Sequence, residues 1–154
     1  MTDMTTRERI VNEADRLFYE RGYEHTSFAD IAEAVGISRG NFYYHLKSKD
    51  EILDAVIEKR MTAISEMLRS WEDASGSPAE RIKSFILIVV TNRPQIIRHG
   101  CPVGTLCSEL AKIGHRAQPQ SNQLFALFRT WLCQQFVELG YEADADSLAM
   151  HVLA

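Results

Sequence analysis

The sequence predicts an all-α fold, and three observations support that prediction. Helix start signals recur along the 154-residue chain, each a Ser or Thr that can accept a hydrogen bond from an exposed backbone amide. The apolar residues after each signal repeat with the period of about 3.6 residues that places them on one helix face. Runs of alternating apolar and polar residues, which would indicate strands, are absent from the sequence.

The first helix begins at a capping box over residues 5–8, TTRE. A Thr hydroxyl and the Glu carboxylate there satisfy backbone amides that have no partner inside the helix. The apolar face that follows consists of Ile10, Val11, Ala14, Leu17 and Phe18. Gly22 then ends the helix, because glycine readily adopts the left-handed conformation common after helix C-termini.

The next two helices are short and are separated by a tight turn. The second begins after Ser27, which has Asp30 three residues beyond it, and stops at Gly36. Ser38 caps a third helix only two residues later. A helix, a glycine turn and a helix therefore occupy residues 27–45. Such a helix-turn-helix can place its second helix in the major groove of DNA.

Five more helices are expected, at 49–72, 78–92, 105–113, 121–139 and from 144 or 146 onward. The long helix at 49–72 starts at a capping box over 48–51 and ends at the break ASGSP, residues 74–78. Pro94 is interpreted as the end of the following helix, and residues 100–104 as irregular. Pro119 is expected in the break before 121–139.

Composition divides the chain near residue 48. Residues 1–47 are expected to form a small N-terminal module, and residues 48–154 a larger helical body that joins it through the helix at 49–72. The net charge of −4 excludes a general basic field, so any nucleic-acid surface must be local. The longest apolar run, Phe85–Val90, is too short to span a membrane.

The N-terminus and the cysteines indicate the compartment. Residues 1–6 are polar and lack the apolar segment of a signal peptide. The three cysteines are an odd number without zinc spacing, and Cys107 and Cys133 fall on apolar faces expected in the core. His115 and His151 are not expected to be metal ligands. We therefore expect a cytoplasmic protein that binds no metal and no cofactor and does not associate with a membrane.

Residues 37–51, ISRGNFYYHLKSKDE, gather bases and aromatic rings within an acidic chain. The cations Arg39, Lys47 and Lys49 can neutralise DNA phosphates, which supply most non-specific affinity. Arg39 and Asn41 also carry groups that pair with guanine and adenine edges in the major groove. The segment therefore indicates contact with DNA.

Two small residues lie at the start of the same helix. Ser38, as N-cap, leaves backbone amides that favour a nearby phosphate, and Gly40 allows the backbone to approach the groove closely. Alternatives stay open for the larger side chains. Tyr43 and Tyr44 could instead pack the small module, His45 could be an ordinary residue at a helix end, and the two lysines could form a solvated face.

Residues 26–57, TSFADIAEAVGISRGNFYYHLKSKDEILDAVI, resemble the DNA-binding domain of the TetR family of transcriptional repressors. The match follows the family pattern T(S/V)xxIAxxxGxSxGxxYxHFxxKxxLL without a gap, with Leu46 where the family often has Phe. The resemblance implies that the phosphate contacts come from Thr26, Tyr43, His45 and Lys49. It implies that bases are read by Ser38, Arg39, Gly40, Asn41 and Tyr44. Phe42, which alternates with these residues, is expected in the core.

The resemblance also implies a mode of action. Two subunits would place two recognition helices about one DNA turn apart on a palindromic operator. A small-molecule effector in the body would favour a conformation with the wrong separation and release the DNA. TetR proteins usually end in two long helices that form a four-helix dimer interface, and this chain ends at Ala154 inside the first of them. The family pattern implies a homodimeric repressor, in which either the C-terminal end is truncated or the mode of dimerisation is altered.

A second motif, GCPVG at 100–104, is similar to the TetR subgroup typified by the LmrA and YxaF repressors. It suggests a small effector without identifying it. Pockets in helical proteins lie between helices and are lined mainly by apolar and aromatic side chains. The residues expected to line this one are Met61, Ile64, Phe85, Val89, Cys101, Leu106, Leu110, Phe125, Phe128 and Trp131. Each could instead belong to the plain core.

Three alternatives to a ligand-released repressor stay open. Cys101 follows Arg98 and His99 and could be a thiolate that senses oxidants or electrophiles, rather than a small buried residue. The same thiol could serve an enzyme such as a thiol peroxidase, although no residue has the spacing of an oriented base. The protein could also bind DNA without sequence preference, which the pairing of Arg39 with Asn41 argues against.

Overall fold

The computed structural model describes residues 3–154, and it confirms the all-α fold. These residues form nine α-helices and one 3-10 turn, Glu142–Asp144, and no strand. The α-helices are α1 (Thr6–Arg21), α2 (Phe28–Val35), α3 (Arg39–His45), α4 (Lys49–Ala74), α5 (Pro78–Thr91), α6 (Arg93–His99), α7 (Pro102–Lys112), α8 (Gln118–Glu138) and α9 (Ala145–Leu153). Of the helices in this described part, none combines the length and the apolar character that crossing a membrane requires.

The first three helices begin where the sequence predicts, and their caps follow from local motifs. The Thr5 hydroxyl accepts from the Glu8 amide at 3.2 Å, and the Glu8 carboxylate accepts from the Thr5 amide at 2.7 Å. Ser27 and Asp30 form the same reciprocal pair, at 3.0 and 2.8 Å. The Ser38 hydroxyl accepts from an amide in the first turn of α3 at 3.3 Å. Each cap of this kind stabilises its helix by about 1 kcal/mol.

The turn between α2 and α3 depends on Gly36, whose φ of +75° lies in the left-handed region. The Gly36 amide donates to the carbonyls of Ala32 and Glu33 at 3.0 and 3.1 Å. The guanidinium of Arg9, in α1, donates to the carbonyl of Val35 at 2.9 Å. Arg9 therefore holds the end of α2 against α1 through an interaction that no local sequence pattern predicts.

α4 begins as predicted, but its cap differs in detail from a capping box. The Ser48 hydroxyl accepts from the Glu51 amide at 3.1 Å. The Glu51 carboxylate accepts from the amide of Lys47, one residue before the cap, at 2.9 Å. The Glu51 side chain thereby fixes the short connection between α3 and α4. α4 then continues to Ala74, slightly beyond the predicted end.

Three prolines lie at helix starts, where the sequence pattern predicts interruptions. Pro94 is in the first turn of α6, a helix that the sequence does not predict. Pro102 opens α7, which starts before the predicted 105, and Pro119 lies in the first turn of α8. A proline fits either interpretation, because the amides of a first helical turn have no partner inside the helix. The prediction of an irregular stretch over 100–104 is therefore wrong for 102–104, which are helical, whereas Gly100 and Cys101 do interrupt the helices.

The chain divides into two compact units. They comprise residues 3–59 with Cys101–Ser121, and Arg60–Gly100 with Asn122–Ala154. The first unit therefore contains α7 as well as α1, α2, α3 and the start of α4. The sequence instead predicts a boundary between residues 47 and 48, with a DNA-binding domain before it and an effector-binding domain after it. This assignment of functions stays a prediction, and its residues 1–2 lie outside the described residues.

The first unit has an apolar core to which α7 contributes, since α1 packs against both α2 and α7. Its fully buried large side chains are Ile10, Leu17, Ile31, Phe42, Leu46, Ile52, Leu53, Val56 and Leu110. Gly22 follows α1 with a φ of +90°, and a Cβ there would lie 2.7 Å from the carboxylate of Glu109 in α7. The same carboxylate accepts from the Tyr23 amide. Glycine is therefore favoured at this position by its φ, and a Cβ would in addition require the Glu109 side chain to shift.

The second unit is held together by polar contacts around its apolar core. The indole nitrogen of Trp131 donates to the Glu72 carboxylate at 2.8 Å. The Arg81 guanidinium donates to the Ser75 carbonyl at 2.7 Å and to the Gln135 side chain at 3.2 Å. Gln135 is itself almost fully buried, at 1% exposure. Arg81 therefore connects the start of α5 with the preceding loop and with α8.

Candidate nucleic-acid interface

α3 has one buried and one exposed side. The buried side is formed by Phe42, with Leu46 directly after the helix, and both side chains are fully buried. The Phe42 ring lies 4.2 Å from the Phe28 ring of α2, between centroids. The other side chains of α3 are exposed, except for the half-buried His45. Two apolar side chains thus anchor a helix whose polar side chains remain available to a ligand.

Arg39, Gly40 and Asn41 form the exposed first turn of α3. The side chains of Arg39 and Asn41 make no hydrogen bond or ion pair with any residue from 3 to 154. A guanidinium can donate two parallel hydrogen bonds to guanine, and a carboxamide can pair with adenine. A Cβ added at Gly40 would meet nothing within 4 Å. Within the described residues, no packing contact therefore requires a glycine at this position. Ser38 is also exposed, but its hydroxyl is engaged as the helix cap.

The two tyrosines of α3 have different environments. Tyr43 is 51% exposed, and its ring stacks on Phe28 with centroids 4.8 Å apart and planes 20° apart. Tyr44 is 82% exposed, and its ring meets the His45 ring edge-on at 5.2 Å. Tyr43 therefore packs in part and is held in one orientation. Tyr44 stands in solvent, so the packing alternative does not apply to it.

Thr26 is not at the surface, contrary to its predicted role as a phosphate contact. Its side chain is fully buried. Its hydroxyl lies 2.8 Å from the Gly22 carbonyl and 3.3 Å from the Leu17 carbonyl. A buried hydroxyl that is already paired is not available to DNA in this conformation. We therefore correct the prediction, because Thr26 joins the segment after α1 to the end of that helix.

The two lysines of the segment also differ. Lys47 has an exposed side chain, whereas Lys49 is partly buried. The Lys49 ammonium lies 4.0 Å from the centroid of the Tyr23 ring, a distance at which a cation is attracted to an aromatic face. Burial lowers the pKa of Lys49, and nearby carboxylates, chiefly that of Glu109, oppose this shift. The Lys49 side chain is therefore positioned beside Tyr23, whereas the Lys47 side chain extends into solvent.

Tyr23 is the centre of a polar cluster that the sequence does not reveal. Its hydroxyl donates to Asp50 Oδ1 at 2.6 Å, and the His115 Nε2 atom lies 2.9 Å from the same oxygen. Hydrogen bonds from Tyr23 and His115 lower the pKa of the Asp50 carboxyl. Burial and the bond to Asp50 raise the pKa of the Tyr23 phenol. Arg116 pairs mainly with Asp54, at 2.9 Å, and lies 3.7 Å from Asp50.

The ten residues expected to line an effector pocket are distributed over both units. Cys101, Leu106 and Leu110 belong to the first unit, where the two leucines are buried. In the second unit, Met61 and Trp131 line an open groove of 530 Å³ between α4 and α8. The remaining five are the buried Ile64 and Phe85, the half-buried Phe125 and Phe128, and the exposed Val89.

The three cysteines have different surroundings. Cys101 is exposed and caps α7, with its sulfur accepting from the Gly104 amide at 3.4 Å. Cys107 is buried, as predicted, and its thiol donates to the Ser121 carbonyl at 3.2 Å, whereas Cys133 is only half-buried. The thiol-sensing alternative gains no support from this capping role. The His, Cys, Asp and Glu residues between 3 and 154 form no group of three that could hold a metal ion.

Comparison with known proteins adds an independent observation. Residues 10–56 match the family model described as bacterial regulatory proteins, tetR family. An uncharacterized HTH-type transcriptional regulator in the lacX 3' region of Lactococcus lactis subsp. lactis is 31% identical over 123 residues, 79% of this chain and 63% of the relative. The HTH-type transcriptional repressor DhaR of Mycobacterium sp. (strain GP1) is 25% identical over 133 residues, 86% of this chain and 64% of that protein. The chain therefore spans less than two thirds of either relative.

A solved structure is similar over almost the whole chain. It is the TetR transcriptional regulator from Legionella pneumophila, with a TM-score of 0.89 and 29% sequence identity. The similarity covers 99% of this chain and 83% of that chain. It therefore extends beyond the helix-turn-helix to the helices of both compact units.

Proposed function

Since this chain belongs to the TetR family of bacterial regulatory proteins, and not to a family of enzymes, we propose that it is a transcriptional repressor that binds double-stranded DNA through α3. The observation that carries the proposal is the exposed first turn of this helix. Arg39 and Asn41 present base-pairing groups without a partner in the described chain, above a buried anchor at Phe42. Repression, rather than activation, is supported by the name of the relative DhaR.

The proposed interface has one set of residues that contact bases and another that contact phosphates. The base contacts come from Ser38, Arg39, Gly40, Asn41 and Tyr44. The phosphate contacts come from Tyr43, His45, Lys47 and Lys49. Thr26 is left out because it is buried. Such a division is common in DNA-binding proteins, because phosphate contacts fix the register in which bases are read.

A homodimer and a small-molecule effector complete the proposal. Two copies would present two α3 helices to half-sites about one DNA turn apart, which requires a palindromic operator. An effector in the second unit would release the DNA if it binds the low-affinity conformation more tightly. The groove lined by Met61 and Trp131 supports this part, because it combines apolar walls with the polar side chains of Arg69 and Gln134.

Selection of bound sequences from a random duplex pool, with the full chain, tests the proposed function. We expect enrichment of a palindrome with half-sites about one DNA turn apart. Enrichment of a single half-site would support reading by α3 and contradict the dimer. Salt-sensitive binding without any enrichment would contradict sequence-specific repression and support general DNA binding.

Gly40→Ala is expected to make the protein more stable and its operator binding weaker. Gly40 lies within α3, where alanine is favoured over glycine by about 0.5–1 kcal/mol, and its surroundings are open. The added methyl group would stand between α3 and the DNA. Urea unfolding and fluorescence anisotropy with the selected duplex measure the two effects.

A matched glycine provides the control for stability. Gly36 also has open surroundings, but its φ is +75°, so Gly36→Ala should destabilise the protein by about 1–2 kcal/mol. Opposite signs for the two variants would separate helix propensity from backbone strain. Unchanged or tighter operator binding by Gly40→Ala would show that this side of α3 does not approach DNA.

A further inference from the structure

Three parts of the first unit meet at Tyr23: the end of α1, the start of α4 and the segment after α7. The Tyr23 ring meets the His115 ring edge-on, with centroids 5.1 Å apart. Its hydroxyl donates to Asp50 at 2.6 Å and lies 3.3 Å from His115 Nε2. Tyr23 is 6% exposed, and the His115 side chain is 12% exposed. His115 is thus a largely buried polar side chain that the proposed DNA contacts do not use.

The hydrogen bonds of His115 define the orientation of its ring. Nδ1 accepts from the Ala117 amide at 3.0 Å, so the proton of the neutral ring lies on Nε2. Nε2 faces Asp50 Oδ1 at 2.9 Å and can donate to it. Because both ring nitrogens have partners, a rotated ring would lose two hydrogen bonds. Asp50 thus accepts from both His115 and Tyr23, which restrains the position of the Tyr23 ring.

The Tyr23 ring also contacts the side chain of Lys49, a proposed phosphate contact. The Lys49 ammonium lies 4.0 Å from the centroid of the Tyr23 ring. Lys49 directly precedes Asp50, so the ring of Tyr23 holds one residue of α4 while its hydroxyl holds the next. A second aromatic contact, with the Phe18 ring at 5.2 Å, restrains the ring from α1. A continuous set of contacts therefore leads from His115 to Lys49.

We propose that His115 is a positioning residue for DNA binding, which acts through Tyr23 and Asp50 to hold the Lys49 ammonium where it meets a phosphate. The inference rests on the proposed DNA-binding function. His115 lies far along the chain from the helix-turn-helix, 65 positions after Asp50, and outside the matched residues 10–56. The segment after α7 therefore contributes to the nucleic-acid interface without touching DNA.

Removal of the imidazole should release Lys49 rather than unfold α3. His115→Ala removes the edge contact with Tyr23 and one hydrogen bond to Asp50, so the Tyr23 ring gains room to tilt. Lys49 then loses its aromatic support, and its ammonium no longer makes the phosphate contact, because ordering the free side chain there would cost conformational entropy. Arg39 and Asn41 make no contact with this cluster, so the preferred DNA sequence should stay the same.

A double-mutant cycle on the selected duplex tests this coupling. Operator affinity is measured at several salt concentrations for the full native chain, Lys49→Ala, His115→Ala and the double variant. Both single variants should lower the slope of log Kd against log salt by about 0.9 per recognition helix, the value of one phosphate contact. The double variant should bind no more weakly than Lys49→Ala. An unchanged slope for His115→Ala, or an equal loss with and without Lys49, would overturn the proposal.

A measurement without DNA separates this inference from the proposed function. The ring current of Tyr23 should shift the Lys49 ε-methylene resonances upfield in the native protein, and Lys49→Arg identifies them by their loss. In His115→Ala they should move to the position of the exposed Lys47. Unmoved resonances would overturn the positioning role even if the protein binds its operator. A native protein that fails to bind any duplex would instead contradict the proposed function.

Two further variants protect the test against a folding defect. His115→Gln keeps a side-chain N–H that can donate to Asp50 and should recover part of the lost salt slope. His151→Ala removes an exposed histidine of α9 and should change neither the slope nor the Lys49 resonances. Thermal unfolding of each variant is recorded alongside. If His115→Ala does not fold, equal salt slopes for His115→Gln and the native chain, with shifted Lys49 resonances, would still overturn the proposal.

Discussion

Arg39→Ala is expected to remove most of the preference of this protein for its operator, at a cost of about 1–3 kcal/mol for each recognition helix. Arg39 is exposed in the first turn of α3, and its guanidinium has no partner among the described residues. The variant would lose the two parallel hydrogen bonds that distinguish guanine from the other bases. The phosphate contacts would remain, so affinity for random duplex should fall much less.

Competition between the selected operator and random duplex measures the effect as a specificity ratio. Lys47→Ala is the matched control, because it removes another exposed cation just after the same helix. Lys47→Ala should weaken binding to both duplexes alike and lower the slope of log Kd against log salt by about 0.9 per recognition helix. Arg39→Lys keeps the charge but not the planar fork and should resemble Arg39→Ala in specificity. Equal losses on both duplexes for Arg39→Ala would show that Arg39 contacts only phosphate.

Phe42→Ala is expected to destabilise the first unit by about 3–5 kcal/mol. Phe42 is fully buried, and its ring lies 4.2 Å from that of Phe28. α3 has only seven residues and depends on this anchor, because so short a helix is unstable on its own. The loss is a large fraction of the roughly 5–15 kcal/mol that stabilises a typical domain.

Urea unfolding followed by circular dichroism measures this loss. Tyr44→Ala is the matched control, since it truncates an aromatic side chain of the same helix that is 82% exposed. Its stability should stay within about 0.5 kcal/mol of the native value. Phe42→Leu should fall between the two, because it keeps most of the buried apolar surface. A loss for Phe42→Ala as small as that for Tyr44→Ala would mean that α3 is anchored elsewhere.

The helices with local start signals were predictable from the sequence, because their caps join residues only three positions apart. Ser27 with Asp30, and Thr5 with Glu8, show this directly. Gly36 was predictable for the same reason, since it acts through its own backbone. The positions of Pro94, Pro102 and Pro119 at helix starts were not predictable in the same way, because a proline that ends one helix and a proline that starts another lack the same amide.

The contacts that support the candidate nucleic-acid interface could not be predicted, because they join residues that are far apart in the sequence. The Tyr23 amide and Glu109 are 86 positions apart, and Asp50 and His115 are 65 apart. No periodicity or short motif encodes such pairs. Thr26 was assigned to the interface although it is buried. The family pattern includes this residue, but a pattern does not distinguish a surface contact from a buried hydroxyl that binds the backbone.

The discontinuous first unit has a consequence for synthesis of the protein on the ribosome. Its helix-turn-helix is translated early, but α7 and His115 follow only after the intervening Arg60–Gly100. At about 5–20 residues per second, the wait between residue 59 and residue 121 lasts several seconds. During that interval the nascent α1 lacks α7, which packs against it, and Tyr23 lacks its partners Glu109 and His115. The end of the chain that contains the helix-turn-helix therefore matures late, although it is made first.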